Sequence, residues 1–203
     1  MGTGGNLIVG LTGGMGSGKS TAAALFTGHG FVRLDADQVV REVLLPSEEV
    51  RAAVRARLGR GVFDARDEQI DRARLGAVVF ADDAALGWLE ELLHPRLHTH
   101  WERIYAAASG ERFIVEVPLL FEKHLENRFD FTVCVTTDSA LQLRRLEQRG
   151  VPFGIARQRL AKQLPLARKC ELADFVLLND GTLEFLREQV SELARRLPPF
   201  HNH

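Results

Sequence analysis

The octapeptide Gly13-Gly14-Met15-Gly16-Ser17-Gly18-Lys19-Ser20, followed by Thr21, sets four glycines around one lysine. It fills every fixed position of the pattern G-x-x-x-x-G-K-[ST]. Glycines allow backbone conformations closed to other residues and let the chain approach a ligand closely. Successive amide hydrogens then converge at a helix N-terminus and form a nest for an anion. Lys19 adds a compact positive charge for the β- and γ-phosphates of a nucleotide, and Ser20 adds a hydroxyl for Mg²⁺. Only four of the 26 basic residues are lysines. A chain that otherwise uses arginine places lysine where an ammonium must fit among phosphates. The competing reading is a glycine-rich turn that binds nothing.

A second stretch, "LDADQVVREV" from Leu34 to Val43, brings carboxylates. Asp35-Ala36-Asp37-Gln38 has the acid-x-x-Gln spacing of a capping box, a structural task worth ~1 kcal/mol. Asp37 then stands in the first helical turn with no structural partner required of it. A carboxylate there can take a proton from a substrate hydroxyl; the plainer alternative is favourable charge placement at a helix N-terminus. Arg41 lies four residues on, on the helical face of Asp37. It is expected to hold that carboxylate or to meet a substrate phosphate, with a plain surface ion pair as the alternative.

Basic residues gather in a third stretch. Arg144, Arg145, Arg149, Arg157, Arg159, Lys162, Arg168 and Lys169 stand against Glu147 alone, and Gly150, Pro152, Gly154 and Pro165 punctuate the run. Such a segment fits a mobile lid whose arginines close over ATP, offset charge on the transferring phosphoryl group and exclude water. The bland reading is a solvated helical face.

These groups need a frame. "NLIVGL" is a short apolar run before the glycine loop, as a buried strand would be, and "KSTAAALFTGHG" after it is helical. "FVRL", "RFIVEVP", "FDFTVCVTT" and "ADFVLLN" are further strands, and "GTLEFLREQVSELARRL" closes the chain as an amphipathic helix. "DADQVVREVLL" is expected to be one helix broken at Pro46. From Ser47 to Ser109 the spacing is helical in four pieces, the last two divided at Pro95. Apolar strands alternating with helices predict an α/β fold: a five-stranded parallel sheet covered by helices on both faces. The long helical block is too large for one crossover and is expected to form a region of its own. The expected organisation is a single domain over 6–197, with a helical substrate-binding region over 38–110, a lid over 149–170 and a tail over 198–203. In open parallel sheets ligands bind beyond the carboxyl ends of the strands, which is where Asp35 and Asp37 should fall.

Composition narrows the classes. The 203 residues carry a net charge of −1 and are 45% hydrophobic. That balance gives no footprint for nucleic acid or an anionic membrane. No run approaches the ~20 apolar residues of a membrane span, and no basic segment precedes the first apolar run as in a secretory signal. Gly2 suggests myristoylation, but Asn6 stands where that motif needs Ser or Thr. Cys134 and Cys170 are too few for a disulfide framework and have no metal-like spacing, so Cys134 is expected to be a buried hydrophobe and the compartment the cytoplasm. His94, His98 and His100 lack a carboxylate or cysteine partner for a metal site. No N-K-x-D guanine motif occurs, and Glu116 ends its strand where many P-loop proteins place an aspartate. Those facts weigh against a GTPase switch. Another small-molecule kinase, an ATPase and a nucleotide-sensing module remain as rivals.

The stretches "LTGGMGSGKST", "DADQVVREV", "LLHP" at Leu92–Pro95, "VPLLFE" at Val117–Glu122 and "KCELADFVLLNDGT" occur in that order. Together they resemble the dephospho-CoA kinase family, over nearly the whole chain from Leu7 onward. The resemblance implies a P-loop kinase fold with a helical substrate region and a lid. It implies transfer of the γ-phosphoryl group of ATP, with Mg²⁺, to the ribose 3′-hydroxyl of dephospho-CoA, the last step of coenzyme A synthesis. It marks Asp37 as the catalytic carboxylate, with Lys19 and Arg145 beside it in catalysis. Gly13 to Thr21 become the phosphate loop, Arg145 and Arg149 lid arginines, and Asn179 an adenine contact, a turn residue being its alternative. His94, with Asp37 and Arg41, falls to the substrate. The oligomeric state stays open, a monomer included.

Overall fold

A strand covered on both faces is apolar throughout, and β1 (Leu7–Gly13) is buried at every residue. The computed structural model describes residues 5–198 other than 67 and 162, and the side chains within 153–161 except those of 155, 156, 158 and 159. Gly2, Lys162, the side chain of Arg159 and the tail from 199 onward therefore lie outside the described residues. The other strands are β2 (Phe31–Asp35), β3 (Arg112–Glu116), β4 (Phe131–Thr136) and β5 (Phe175–Leu178). They make one parallel sheet, as expected from the alternation of strands and helices, and its order is β2-β3-β1-β4-β5.

The register aligns the carboxyl ends. Glu116 of β3 stands opposite Leu11 of β1 on one side and Asp35 of β2 on the other. Alternation along β1 sends Leu7, Val9 and Leu11 into a core with Ala22, Ala23 and Phe26 of α1 (Lys19–Thr27). The same core takes Leu186, Val190, Leu193 and Ala194 from α9 (Leu183–Arg196), whose i, i+4, i+7, i+8 spacing is one helical face. Helix α8 (Leu166–Leu172) packs on β1 and β4. In β4, burial and then the neighbouring Cys170 thiol push the Cys134 thiol far above its ordinary pKa; the two sulfurs are 3.7 Å apart. Cys134 is thus an inert hydrophobe, as expected.

The described residues up to Asp35 and from Ala108 onward form one compact unit, and Ala36–Ala107 form a second. The helical unit begins with α2 (Ala36–Val39), which passes at once into a π-helical turn, Val40–Leu44. The regular helix expected over this stretch is therefore interrupted. Next come α3 (Glu48–Leu58), capped by the Ser47 hydroxyl, and α4 (Arg72–Val79), capped by the Asp71 carboxylate. Helix α5 (Asp83–Ala107) is continuous through Pro95, where a division was expected. A proline inside a helix costs one hydrogen bond and a clash with the preceding turn. Here Ala85, Leu89, Leu93, Leu97 and Trp101 recur every fourth residue on the buried face, so one apolar stripe spans the proline and outweighs that cost.

Candidate active site

The glycine loop joins the end of β1 to the first turn of α1. Gly18 is the residue before α1 and is left-handed, φ +97°. A Cβ on it would fall 2.0 Å from Nδ2 of Asn179, so only glycine fits there. The Lys19 ammonium donates to the carbonyls of Gly13 and Gly14, at 3.1 and 2.9 Å, and so arches back over the loop. The Ser17 amide closes the turn on the Gly14 carbonyl at 3.2 Å. Two buried polar atoms beside the loop, Oγ of Ser17 and Nε2 of Gln142, have no hydrogen-bond partner among the described residues. Gly16 lies against the same Gln142, on α6 (Ser139–Gln148), and Met15 is half-buried.

Ser20 donates its hydroxyl to Oε2 of Glu116 at 3.0 Å. The other oxygen, Oε1, accepts Nε of Arg33 at 2.6 Å. Arg33 also stands 3.6 Å from Asp35. A chain of hydroxyl, carboxylate, guanidinium and carboxylate thus crosses the carboxyl ends of β3 and β2. Sequence spacing alone does not show it, because β2 and β3 are neighbours in the sheet but far apart in the chain. The one available signal is an acid at the end of β3 and a base in the short run of β2. Hydroxyl and carboxylate are hard oxygen groups of the kind Mg²⁺ takes. Among the described residues, no group of three His, Cys, Asp or Glu side chains could hold a metal unaided. A cation held at Ser20 would need further oxygen ligands from phosphate or water.

A cavity of about 190 Å³ opens beside the loop, lined by Gly18, Thr21, Arg145, Arg149, Asn179, Gly181 and Leu183. Five of the expected nucleotide-binding residues meet there. Asn179 is buried, and its amide donates to the Ser17 carbonyl at 2.8 Å. Arg145 donates to the Asn179 carbonyl at 3.0 Å, which also accepts the Thr137 hydroxyl at 3.0 Å. Arg145 is thus fixed on α6, whose first turn Asp138 caps, and Arg149 ends that helix exposed. A larger groove of about 380 Å³ lies between β5 and α9, and no loop residue lines it.

The basic run divides into unlike parts. Gly150 turns left-handed, φ 74°, before α7 (Phe153–Ala161), where Arg157 lies over the Phe153 ring. Lys169, counted above with the lid charges, is 1% exposed and cannot present its charge to a ligand. It pairs with Glu122 at 2.8 Å and donates to the Pro118 carbonyl at 2.9 Å. Burial explains the difference, since a charged head leaves water only when paired and hydrogen-bonded. Glu122 also accepts the Leu164 amide at 2.9 Å, fastening the segment between α7 and α8.

The remaining expected residues lie in the helical unit. Asp37 is in the first turn of α2. Arg41 falls in the π turn and pairs with Glu42 at 2.7 Å, both side chains being about half exposed. Gln38 donates to the same Glu42 at 2.8 Å, and these two partners hold the Glu42 carboxyl below its ordinary pKa, Arg41 foremost. His94 is half-buried on α5, and His98 meets the edge of Trp101.

Residues 7–184 match the profile of the family described as dephospho-CoA kinase. A relative called dephospho-CoA kinase in Frankia casuarinae is 40% identical over 194 residues, which are 93% of this chain and 84% of that protein. Among solved structures, TT1252 from Thermus thermophilus is 30% identical, with a TM-score of 0.83 over 95% of this chain and 98% of its own. The dephospho-CoA kinase from Campylobacter jejuni shares the fold at 24% identity, with a TM-score of 0.68 over 95% and 97% of the two chains. With its phosphate loop, its parallel sheet and a profile match across most of its length, the chain belongs to the dephospho-CoA kinase family.

Proposed function

We propose that the protein transfers the γ-phosphoryl group of ATP to the ribose 3′-hydroxyl of dephospho-CoA. The carrying observation is the loop at Gly13–Thr21 with Lys19 arched over it, in a chain that the family profile matches from 7 to 184. The loop amides and Lys19 hold the β- and γ-phosphates. Ser20, fixed by Glu116, would hold the Mg²⁺ that accompanies them, and that ion would neutralise phosphate charge. The acceptor oxygen bonds to the γ-phosphorus as the bond to the β–γ bridging oxygen breaks, and ADP leaves. Asp37 takes the acceptor's proton. Arg145 and Arg149 offset charge on the moving phosphoryl group. Asn179 and the cavity around it receive the adenine end, Arg41 and His94 the acceptor. The segment 149–170 closes as a lid, and 38–110 is the acceptor region. A net charge of −1 fits a small-molecule partner rather than nucleic acid, and two cysteines left as thiols fit a cytoplasmic enzyme.

The test is ADP release with ATP and Mg²⁺, measured with dephospho-CoA, with other nucleosides and alcohols, and with no acceptor. Release that requires dephospho-CoA, with the 3′-phosphorylated product found by mass spectrometry, is expected. Release on another acceptor would indicate a different small-molecule kinase, and release with none an ATPase.

A further inference from the structure

Helix α6 buries two residues, Leu146 and Gln142. Leucine packs there without penalty. Glutamine does not, because a buried amide costs free energy unless its polar atoms are bonded. Gln142 is 6% exposed, and its Nε2 has no hydrogen-bond partner among the described residues. An amide nitrogen carries two donor hydrogens. The fold thus holds a donor in reserve where an apolar side chain of the same length would be no less stable.

That donor faces one end of the phosphate loop. Nε2 stands 2.2 Å from the position a Cβ on Gly14 would take. The carbonyl oxygen of Gln142 is 3.0 Å from the corresponding position on Gly16. Lys19 bonds to the carbonyls of Gly13 and Gly14 at the same end, and this lysine is the group that meets the β- and γ-phosphates. The other end of the loop is Gly18, where Nδ2 of Asn179 stands 2.0 Å and Nη1 of Arg145 3.9 Å from the position of a Cβ. Gln142, Arg145 and Arg149 are spaced i, i+3, i+7 and share one face of α6. That face runs along the loop, with the arginines at the cavity proposed for the adenine end and the amide at the phosphate end.

We infer that Gln142 is a specificity-determining residue: its Nε2 donates to the γ-phosphate of bound ATP and so separates triphosphate from diphosphate. This rests on the reading of the loop as an ATP site. A γ-phosphate brings charged acceptor oxygens, to which hydrogen bonds are stronger than to neutral ones. ADP brings none to that place, so Gln142 adds to the hold on ATP and not to the hold on ADP.

Gln142→Met is the first variant. Methionine has nearly the same length, adapts to irregular packing and carries no donor. Gln142→Glu is the second; it keeps the shape and sets a negative charge in place of the donor. Affinities for ADP and for the β,γ-imido analogue of ATP are measured by calorimetry with Mg²⁺, and melting temperature is recorded without nucleotide. In Gln142→Met the analogue is expected to bind about tenfold or more weakly than in wild type, the usual effect of losing a hydrogen bond to a charged group. ADP affinity should stay within about twofold. The melting temperature should equal or exceed that of wild type, because an unpaired buried donor is gone. Gln142→Glu should weaken the analogue further, and more than it weakens ADP; it carries the test if Gln142→Met does not fold. Unchanged analogue affinity in Gln142→Met would overturn the assignment and leave Nε2 to a buried water. Equal losses for ADP and analogue in either variant, with or without a lower melting temperature, would also overturn it, by making Gln142 a support of the loop itself. If wild type binds neither nucleotide, the ATP-site reading fails and this inference falls with it.

Discussion

The sheet unit and the helical unit hold their polar residues in different ways. In the sheet unit the groups of the loop are fastened to one another. Asn179 holds the Ser17 carbonyl, Lys19 the carbonyls of Gly13 and Gly14, and Glu116 the Ser20 hydroxyl. In the helical unit Asp37 and Arg41 ride on one short α-turn that runs into a π turn, and Arg41 is paired in solvent. Regularity is built where the same triphosphate must be gripped each time, since preorganised donors lose nothing to rearrangement during transfer. The stretch from 36 to 44 departs from regular helix at the carboxylate proposed to take a proton, and such π turns are frequent at functional sites. The contrast fits the division of labour proposed above, in which the sheet unit binds nucleotide and the helical unit supplies the acceptor's chemistry.

The largest expected effect lies in the helical unit. Asp37→Asn should lower kcat by about 10²–10⁴-fold, the usual cost of losing a general base, while ATP affinity stays near that of wild type. Asp35→Asn, assayed beside it, should keep most activity, because asparagine serves a helix N-terminus about as well as aspartate and Arg33 keeps its shorter pair with Glu116. If Asp35→Asn alone were inactive while folded, the two carboxylates would have to exchange roles. In the sheet unit, Lys19→Ala should lower kcat by about 10²–10³-fold, as when one preorganised charge partner is removed. It should also weaken ATP binding, with no fall in melting temperature.

A fourth substitution separates binding from stability within the sheet unit. Lys169→Met leaves Glu122 with a buried, uncompensated charge. Breaking such a pair costs about 3–5 kcal/mol, and the lower end is expected because the Glu122 side chain is 13% exposed and keeps the Leu164 amide. Urea unfolding measures this, and ADP affinity of the folded fraction should not change. The smallest effect is set for Asn179→Ala. It removes one neutral hydrogen bond to the loop, about 0.5–1.5 kcal/mol, and should weaken ATP several-fold. An Asn179→Ala protein with unaltered ATP affinity would place the adenine end elsewhere.

What could be foreseen follows from the range of the interaction concerned. The phosphate loop was legible because its spacing is fixed over eight residues, and the strands because burial on both faces makes them apolar throughout. The parallel pairing of the sheet followed from alternation with helices, but its order did not. The unbroken α5 was not foreseen: a local proline signal lost to a stripe of five buried side chains, and only the summed burial decides between them. The π turn leaves no mark in the residue types of Val40–Leu44. Lys169 looked like one more cation of a basic run because its partner, Glu122, lies far off in the chain. The Glu116–Arg33 pair was hidden for the same reason, since parallel register between distant strands is not written in either strand alone.

The most direct test of the division of labour is a calorimetric titration of dephospho-CoA into the Lys19→Ala protein, with ATP titrated in parallel. ATP binding should be weakened strongly. Dephospho-CoA should still bind, with an affinity within about threefold of wild type, because the residues proposed to receive it, Asp37, Arg41 and His94, lie outside the loop. Loss of dephospho-CoA binding together with ATP binding, in a protein that melts like wild type, would contradict it and assign both ligands to the phosphate loop.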